Sequence, residues 1–271
     1  MPFGESRQKV RENIHQYLPV RNIVDAAALD VANSSGRMYR PLMLMSVAQG
    51  YGVSLEKSSI AASALEMGHA ASLILDDMAD KSETRRGRPS CWASYGPEVA
   101  TMAAVRLIFG AQIVAARSHD DPAICLDVVK IMNDGAIRTL EGQVADVSCD
   151  RELSQNEIEQ IAERKTGVLF DVAGSIGEVL ANRKIPSQYT GLWSPLGRKV
   201  GLCYQIGDDI HDFEDSEEKV NLARKIGVDS ARSRQKELLD SVNSTINSLE
   251  RDYFDSQPIR NLLEEMFPEL H

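Results

Sequence analysis

The stretch that decides how this chain is read runs from Leu73 to Arg88, LILDDMADKSETRRGR. A mostly apolar run, Ala70 to Leu75, leads straight into Asp76, Asp77 and Asp80, and Arg85 and Arg86 follow. The acids therefore stand at the wet end of a buried helix. Residues i and i+4 share a helix face, so Asp76 and Asp80 can converge on one ion. Ligands that are all oxygen suit a hard cation, and Mg²⁺ is commonly held by a few carboxylates together with substrate phosphates. The two arginines add rigid, planar forks for phosphate oxygens. The stretch reads as a diphosphate site built on a metal bridge.

A single DDxxD is weak evidence, because acidic clusters at helix ends are usually solvated surface. One chance match in a chain of this length has odds of about one in ten. The chain contains a second, Asp208, Asp209 and Asp212, closing the largely apolar run Val200 to Gly207. Two chance matches, each at the end of an apolar helix, are on the order of one in a hundred or rarer. Function wins that comparison.

With 271 residues, 43% of them hydrophobic, the chain can bury a substantial core. Its net charge of −10 argues against nucleic acid as a partner. Cys91, Cys125, Cys149 and Cys203 form no CxxC pair and read as reduced, intracellular thiols. The N-terminal MPFGESR lacks the apolar core of a signal peptide. No uninterrupted apolar stretch is expected to approach a membrane span. The expectation is a cytoplasmic protein.

The pattern is helical nearly throughout. Helices are expected over 5–17, 21–33, from Pro41 through the run Leu42 to Gln49, and from Leu55 to the first acid cluster. Further helices are expected over 97–117, 123–147, from the capping box Ser154/Glu157 to about Asn182, over Arg198–Phe213, Asp229–Phe254 and 258–267. Alternating β-branched runs are nearly absent, and there is no linker and no repeat. This predicts one all-α domain over residues 1–271. The acid clusters lie about half a chain apart, as expected if two facing helices present metal ligands across one cavity.

Around these clusters stands an ordered set of motifs. It begins with GRMYRP (Gly36 to Pro41), His69, and DDMAD with Arg85, Arg86 and Gly87. It continues with EGQVAD (Glu141 to Asp146), Lys165 and Thr166, then Tyr204 and Gln205 with DDIHD. From about Gly36 to about Arg251 the chain resembles the trans-isoprenyl diphosphate synthases, the polyprenyl synthetase family. The resemblance implies a single-domain isoprenoid-synthase-type helical bundle around a central cavity. It also implies a Mg²⁺-dependent prenyltransferase that joins an allylic diphosphate to isopentenyl diphosphate, head to tail, and a homodimer.

Carried over residue by residue, the resemblance makes Asp76, Asp80 and Asp208 the direct metal ligands. Asp77, Asp209 and Asp212 stand behind them, through water or other side chains. Arg85, Lys165 and the amide of Gln205 complete the cradle of the allylic diphosphate. Arg37, Arg40, His69 and Arg86 take the second diphosphate, which needs no metal. Lys165, Thr166 and Gln205 line the region where an allylic cation forms, and the released diphosphate is the base. On its own, His69 in an apolar helix would read as a core histidine; its place on the aspartate helix favours binding. Gln143 and Asp146 can equally tie helices together, and His211 reads as a neighbour of the cluster.

One turn back from the first cluster, Ala71 and Ser72, then Met67, leave that depth of the site lined by small side chains. A large aromatic at 71 would cap a growing tail, so a product of C20 or longer is expected, with Met67 as a lower gate. Three positions depart from the family pattern. Met38 stands where a second basic residue is usual, and Leu75 where a histidine commonly precedes the cluster. After Asp212, FEDSEEKVNL replaces the usual lysine-bearing lid, leaving Lys219, and less well Lys225, as substitutes. A terpene cyclase or atypical prenyltransferase on the same scaffold, or a non-catalytic subunit of a heteromeric synthase, are the alternatives.

Overall fold

The structure, a computed structural model, describes residues 3–34, 36–147, 153–181, 185, 190–213, 220–250 and 254–270, with backbone alone for 145–147 and 250. Among the described residues the regular structure is helical except for one two-residue ladder. Contacts divide the chain into two compact units, residues 1–45 with 54–129, and 46–53 with 130–271.

The first unit is built on α4, Leu55–Ala79, which packs against α1 (Gly4–Tyr17), α2 (Ile23–Asn33) and α6 (Pro97–Ala115). Ser54 caps α4 by accepting from the Lys57 N–H. Serines and alanines at Ser59, Ala62, Ser63, Ala70 and Ala71 are buried along it, and short side chains let neighbouring helices approach. Their hydroxyls are satisfied: Asn13 donates to Ser59 Oγ at 2.9 Å, and Ser63 donates to the Ser59 carbonyl. Asp25 of α2 receives Arg106 Nε of α6 at 2.9 Å. A carboxylate this buried needs such a partner.

That pairing bears on the membrane expectation. By length and composition alone α6 is apolar enough to cross a membrane, and less than half of it is buried. The expectation that no stretch approaches this limit is corrected. Glu98 and Arg106 are its only charges, and Arg106 is drawn inward to Asp25. The inner face of α6 meets α4 and α2, as in any core helix.

The second unit is built on α10, Trp193–His211, which packs against α9 (Val168–Leu180) and α12 (Val228–Glu250). It starts before the expected Arg198 and carries Pro195 in its first turn. Proline is tolerated there because the first N–H groups of a helix have no intrahelical acceptor. The capping box at Ser154 is present, with Ser154 N donating to Glu157 Oε2 at 2.9 Å and Ser154 Oγ accepting from the Glu157 N–H. The helix it opens does not run unbroken to residue 182. After α8, Gln155–Ala162, a π-helical turn occupies Glu163–Gly167 before α9 begins.

The π-turn presses on α10 at a glycine. A Cβ on Gly201 would lie 2.6 Å from Gly167 Cα, closer than real contacts allow. We predict that Gly201→Ala lowers the unfolding free energy by about 1–3 kcal/mol, measured by urea denaturation. Wild-type stability in that variant would show that α10 and the π-turn are not in close contact.

Candidate active site

Helix α4 delivers the first acid cluster and then stops abruptly. Lys81 takes a left-handed φ of +56°, and the Ser82 N–H returns to the Asp77 carbonyl at 2.9 Å. This is the Schellman ending, usually built on glycine. The chain then makes a hairpin, β1 (Thr84–Arg85) with β2 (Arg88–Pro89), turning at Arg86 (φ +54°) and Gly87 (φ +72°). Positive φ at both loop residues is what a type I′ turn requires.

The hairpin sends its two arginines to different places. Arg85 Nε donates to Asp77 Oδ1 at 2.6 Å and Arg85 Nη2 to Asp76 Oδ2 at 3.3 Å. Arg86 Nη1 donates to the Ser34 carbonyl at 2.8 Å, and its guanidinium carbon lies 3.0 Å from where Gly36 would carry a Cβ. Glycine at 36 makes room for that fork.

The chain running on from Gly36 carries two further basic residues of the site, Arg37 and Arg40. Arg37 Nη1 donates to the Tyr39 hydroxyl at 3.2 Å, while the Arg37 carbonyl accepts from Arg7 Nε. Arg40 Nη1 meets His69 Nε2 at 3.2 Å. Arginine only donates, so Nε2 accepts and the imidazole proton sits on Nδ1, facing Ser72 Oγ at 3.5 Å. Burial, and then the charges of Arg40, Arg86 and Arg85, hold the His69 pKa well below 6.5. His69 is a neutral acceptor that orients Arg40.

In the second unit α10 ends in the other acid cluster, and the two clusters share one design. In each, the middle acid is buried and the outer two reach solvent. Asp77 and Asp209 are each 3% exposed, whereas Asp76 and Asp208 are half-buried and Asp80 and Asp212 exposed. Asp209 Oδ1 accepts from Gln205 Nε2 at 2.9 Å and Oδ2 from the Leu222 N–H at 2.7 Å. Burial raises the pKa of both middle acids, opposed by Arg85 at Asp77 and by the Gln205 and Leu222 N–H groups at Asp209. Thr166, in the π-turn, donates to Gln205 Oε1 at 2.7 Å. Lys165 precedes it in the same turn, and His211 Nδ1 sits 2.9 Å from Asp212 Oδ1.

Among the described residues, no three His, Cys, Asp or Glu side chains converge closely enough to hold a metal unaided. The solvent-reached carboxylates are nonetheless oxygen donors at helical i, i+4 spacing, the chemistry Mg²⁺ accepts when substrate oxygens and water complete its shell. Lys219 and the segment 214–219 lie outside the described residues, as does the side chain of Asp146. The sequence reading missed Asn221, which donates from Nδ2 to the Asp209 carbonyl and caps α11 (Leu222–Ile226). An asparagine just before Leu222 is a helix-start signal that could have found it.

These features define an isoprenoid-synthase-type helical protein with two acid clusters. The Polyprenyl synthetase family model matches residues 21–234, and the chain belongs to that family: it is a prenyltransferase. It is 30% identical over 263 residues to the geranylgeranyl diphosphate synthase of Cereibacter sphaeroides, covering 90% of this chain and 88% of that one. The structure resembles geranyltranstransferase from Thermotoga maritima, with TM-score 0.85, 29% identity and coverage of 100% and 99%. It also shares its fold with geranyltransferase from Helicobacter pylori complexed with magnesium and isoprenyl diphosphate, with TM-score 0.80, 20% identity and coverage of 99% and 94%.

The neutral His69 gives a pH prediction. Its pKa is lowered on folding, so the unfolded chain binds the extra proton. Stability is therefore intact above the unfolded value of 6.5 and falls as pH drops below it, with a slope approaching about 1.4 kcal/mol per pH unit. Thermal melts between pH 7.5 and 5.5 should show a larger loss in wild type than in His69→Gln, which keeps an acceptor for Arg40. Parallel losses in both proteins would contradict the assignment.

Proposed function

We propose that this prenyltransferase joins an allylic diphosphate to isopentenyl diphosphate, head to tail and with Mg²⁺, giving a trans-prenyl diphosphate of C20 or longer. The observation that carries the proposal is the sorting of charge. Each acid cluster keeps its outer carboxylates in water, and Arg85 and Arg86 are aimed at separate places. Two diphosphates need two such places.

In this assignment Asp76, Asp80 and Asp208 hold Mg²⁺ directly, Asp212 acts through metal-bound water, and Asp77 and Asp209 brace the ligands from behind. The bound metal supplies charge neutralisation for the departing diphosphate. Arg85, Lys165 and the second N–H of the Gln205 amide hold the allylic diphosphate as its carbon–oxygen bond breaks. Positive charge preorganised where negative charge develops is often the largest catalytic contribution. Arg37, Arg40 and Arg86 hold the second diphosphate, and His69 fixes the Arg40 fork by accepting from it. Lys219 is assigned to the diphosphates on family resemblance alone. Thr166 and Gln205 present oxygens to the allylic cation, and the released diphosphate takes the final proton.

The small side chain of Ala71 supports a long product, as does the geranylgeranyl diphosphate synthase relative. Met67 is fully buried, its Cε only 2.6 Å from where Gly110 of α6 would carry a Cβ. It therefore leans on α6, one turn below Ala71. A homodimer is supported by the outer face of α6, where Met102, Val105, Phe109 and Ile113 fall on one stripe and are 46–65% exposed. Buried, unpaired Cys91, Cys125 and Cys203 fit a reducing, cytoplasmic setting.

Incubation with Mg²⁺, isopentenyl diphosphate and a set of allylic diphosphates should yield an elongated diphosphate. Released hydrocarbon or alcohol would instead mean a cyclase, and product only with a second protein would mean a subunit. Ala71→Phe should shift products below C20, and an unchanged distribution would sink the length assignment. Phe109→Glu should convert a dimer to a monomer in sedimentation; a wild-type monomer would refute the interface.

A further inference from the structure

The hydrogen bonds around Asp209 have a direction, and that direction fixes what Thr166 can present to a reacting carbon. The Leu222 backbone N–H can only donate, and it donates to Asp209 Oδ2 at 2.7 Å. The other carboxylate oxygen faces the Gln205 amide at 2.9 Å. An ionised carboxylate only accepts, so the amide turns its NH₂ toward Asp209 and its carbonyl oxygen away. That oxygen lies 2.7 Å from Thr166 Oγ1 and takes the hydroxyl proton. Every proton in the series points toward Asp209. Thr166 has one hydroxyl proton, already given to Gln205, so it offers only lone pairs.

The far end of the series is clamped by the chain that returns after the acid cluster. Asn221 Nδ2 donates to the Asp209 carbonyl at 3.0 Å, and Asn221 Oδ1 accepts from the Arg224 N–H at 2.9 Å. Arg224 in turn donates from Nε and Nη2 to the Phe213 carbonyl, each at 3.2 Å. The start of α11 is thereby tied to the last turn of α10 at two carbonyls and one carboxylate.

We propose that Asp209, held by Asn221 and the Leu222 N–H, is a positioning residue that sets the proton polarity of the Thr166–Gln205 pair. It makes Thr166 an obligate acceptor, matched to positive charge and mismatched to negative charge. The chemical partner is a carbocation rather than an oxyanion. This rests on the prenyl-transfer proposal above and adds to it that the middle acid of the second cluster acts through Gln205 and holds no metal. Asp209→Asn tests it, because an asparagine amide can donate to Gln205, reverse the amide, and leave Thr166 presenting a proton.

The experiment compares wild type, Asp209→Asn and Asn221→Ala in steady-state turnover, in calorimetric binding of Mg²⁺ with inorganic pyrophosphate, and in thermal melting. Asp209→Asn should lower kcat roughly 10- to 100-fold, the cost typical of losing an outer-shell hydrogen-bond partner. KM for the allylic diphosphate and the Mg²⁺–pyrophosphate affinity should stay unchanged. Thr166→Val should add little to Asp209→Asn, since both cut one series. Asn221→Ala lies outside the acid cluster and should show the same kcat-only loss, smaller, which keeps the test open if Asp209→Asn does not fold. Weakened Mg²⁺–pyrophosphate binding in Asp209→Asn would make Asp209 a ligand and overturn the proposal, as would an unchanged kcat. A wild-type protein that forms no prenyl product would overturn the prenyl-transfer proposal itself and, with it, this one.

Discussion

A carboxylate on a helix can keep its water and attract a cation, or give up its water and be held by protein donors. Leaving a buried charge unpaired costs far more than either arrangement. Both acid clusters divide their aspartates along this line. Asp77 and Asp209 are buried and held, the one by Arg85, the other by Gln205 and the Leu222 N–H. Their neighbours four residues apart, Asp76 with Asp80 and Asp208 with Asp212, remain in reach of solvent. The buried acid fixes the helix end, and the fixed end gives the solvated pair a defined geometry. The rest of the site depends on this division, because it decides which oxygens are available to metal and which direct neighbouring donors.

The backbone around the first cluster carries the corresponding cost. Met38, Lys81 and Arg86 are the non-glycine residues with positive φ among those described. All three lie in or beside the motifs that bear charge. Each left-handed residue costs roughly 1–2 kcal/mol, and such strain persists where the surrounding contacts over-determine it. Lys81 ends α4 directly after Asp80. Arg86 turns the hairpin so that its own fork reaches Ser34 and Gly36 while Arg85 turns back to the acids. Met38 is buried between Arg37 and the start of α3, Tyr39–Gly50. The sequence reading treated Met38 as a lost charge; the structure shows a side chain anchored in the core.

Much of this was legible in the residues alone. The acid clusters, the capping box at Ser154 and the apolar face of α4 announce themselves by spacing, because helical period and capping chemistry are local. What could not be read is equally physical. The π-turn at Glu163–Gly167, ERKTG, holds no apolar side chain, so no hydrophobic spacing marks the wider turn there. The hairpin strands are two residues long, shorter than any alternation can reveal. The expected start of α10 is Arg198 rather than Trp193, because the pattern alone cannot show that Pro195 sits in a first turn. Three identical aspartates in one helix carry no mark of which will be buried; that is set by Arg85, Leu222 and Gln205, up to thirteen residues away.

The division of the acids is tested most directly by crystals grown with Mn²⁺ in place of Mg²⁺ and an unreactive allylic diphosphate analogue. Anomalous difference maps locate each ion without reference to activity. The account predicts ions within about 2.1–2.3 Å of oxygens from Asp76, Asp80 and Asp208, with Asp77 still on Arg85 and Asp209 still on Gln205 and Leu222. An ion bound directly to Asp77 or Asp209, with those hydrogen bonds broken, would contradict it.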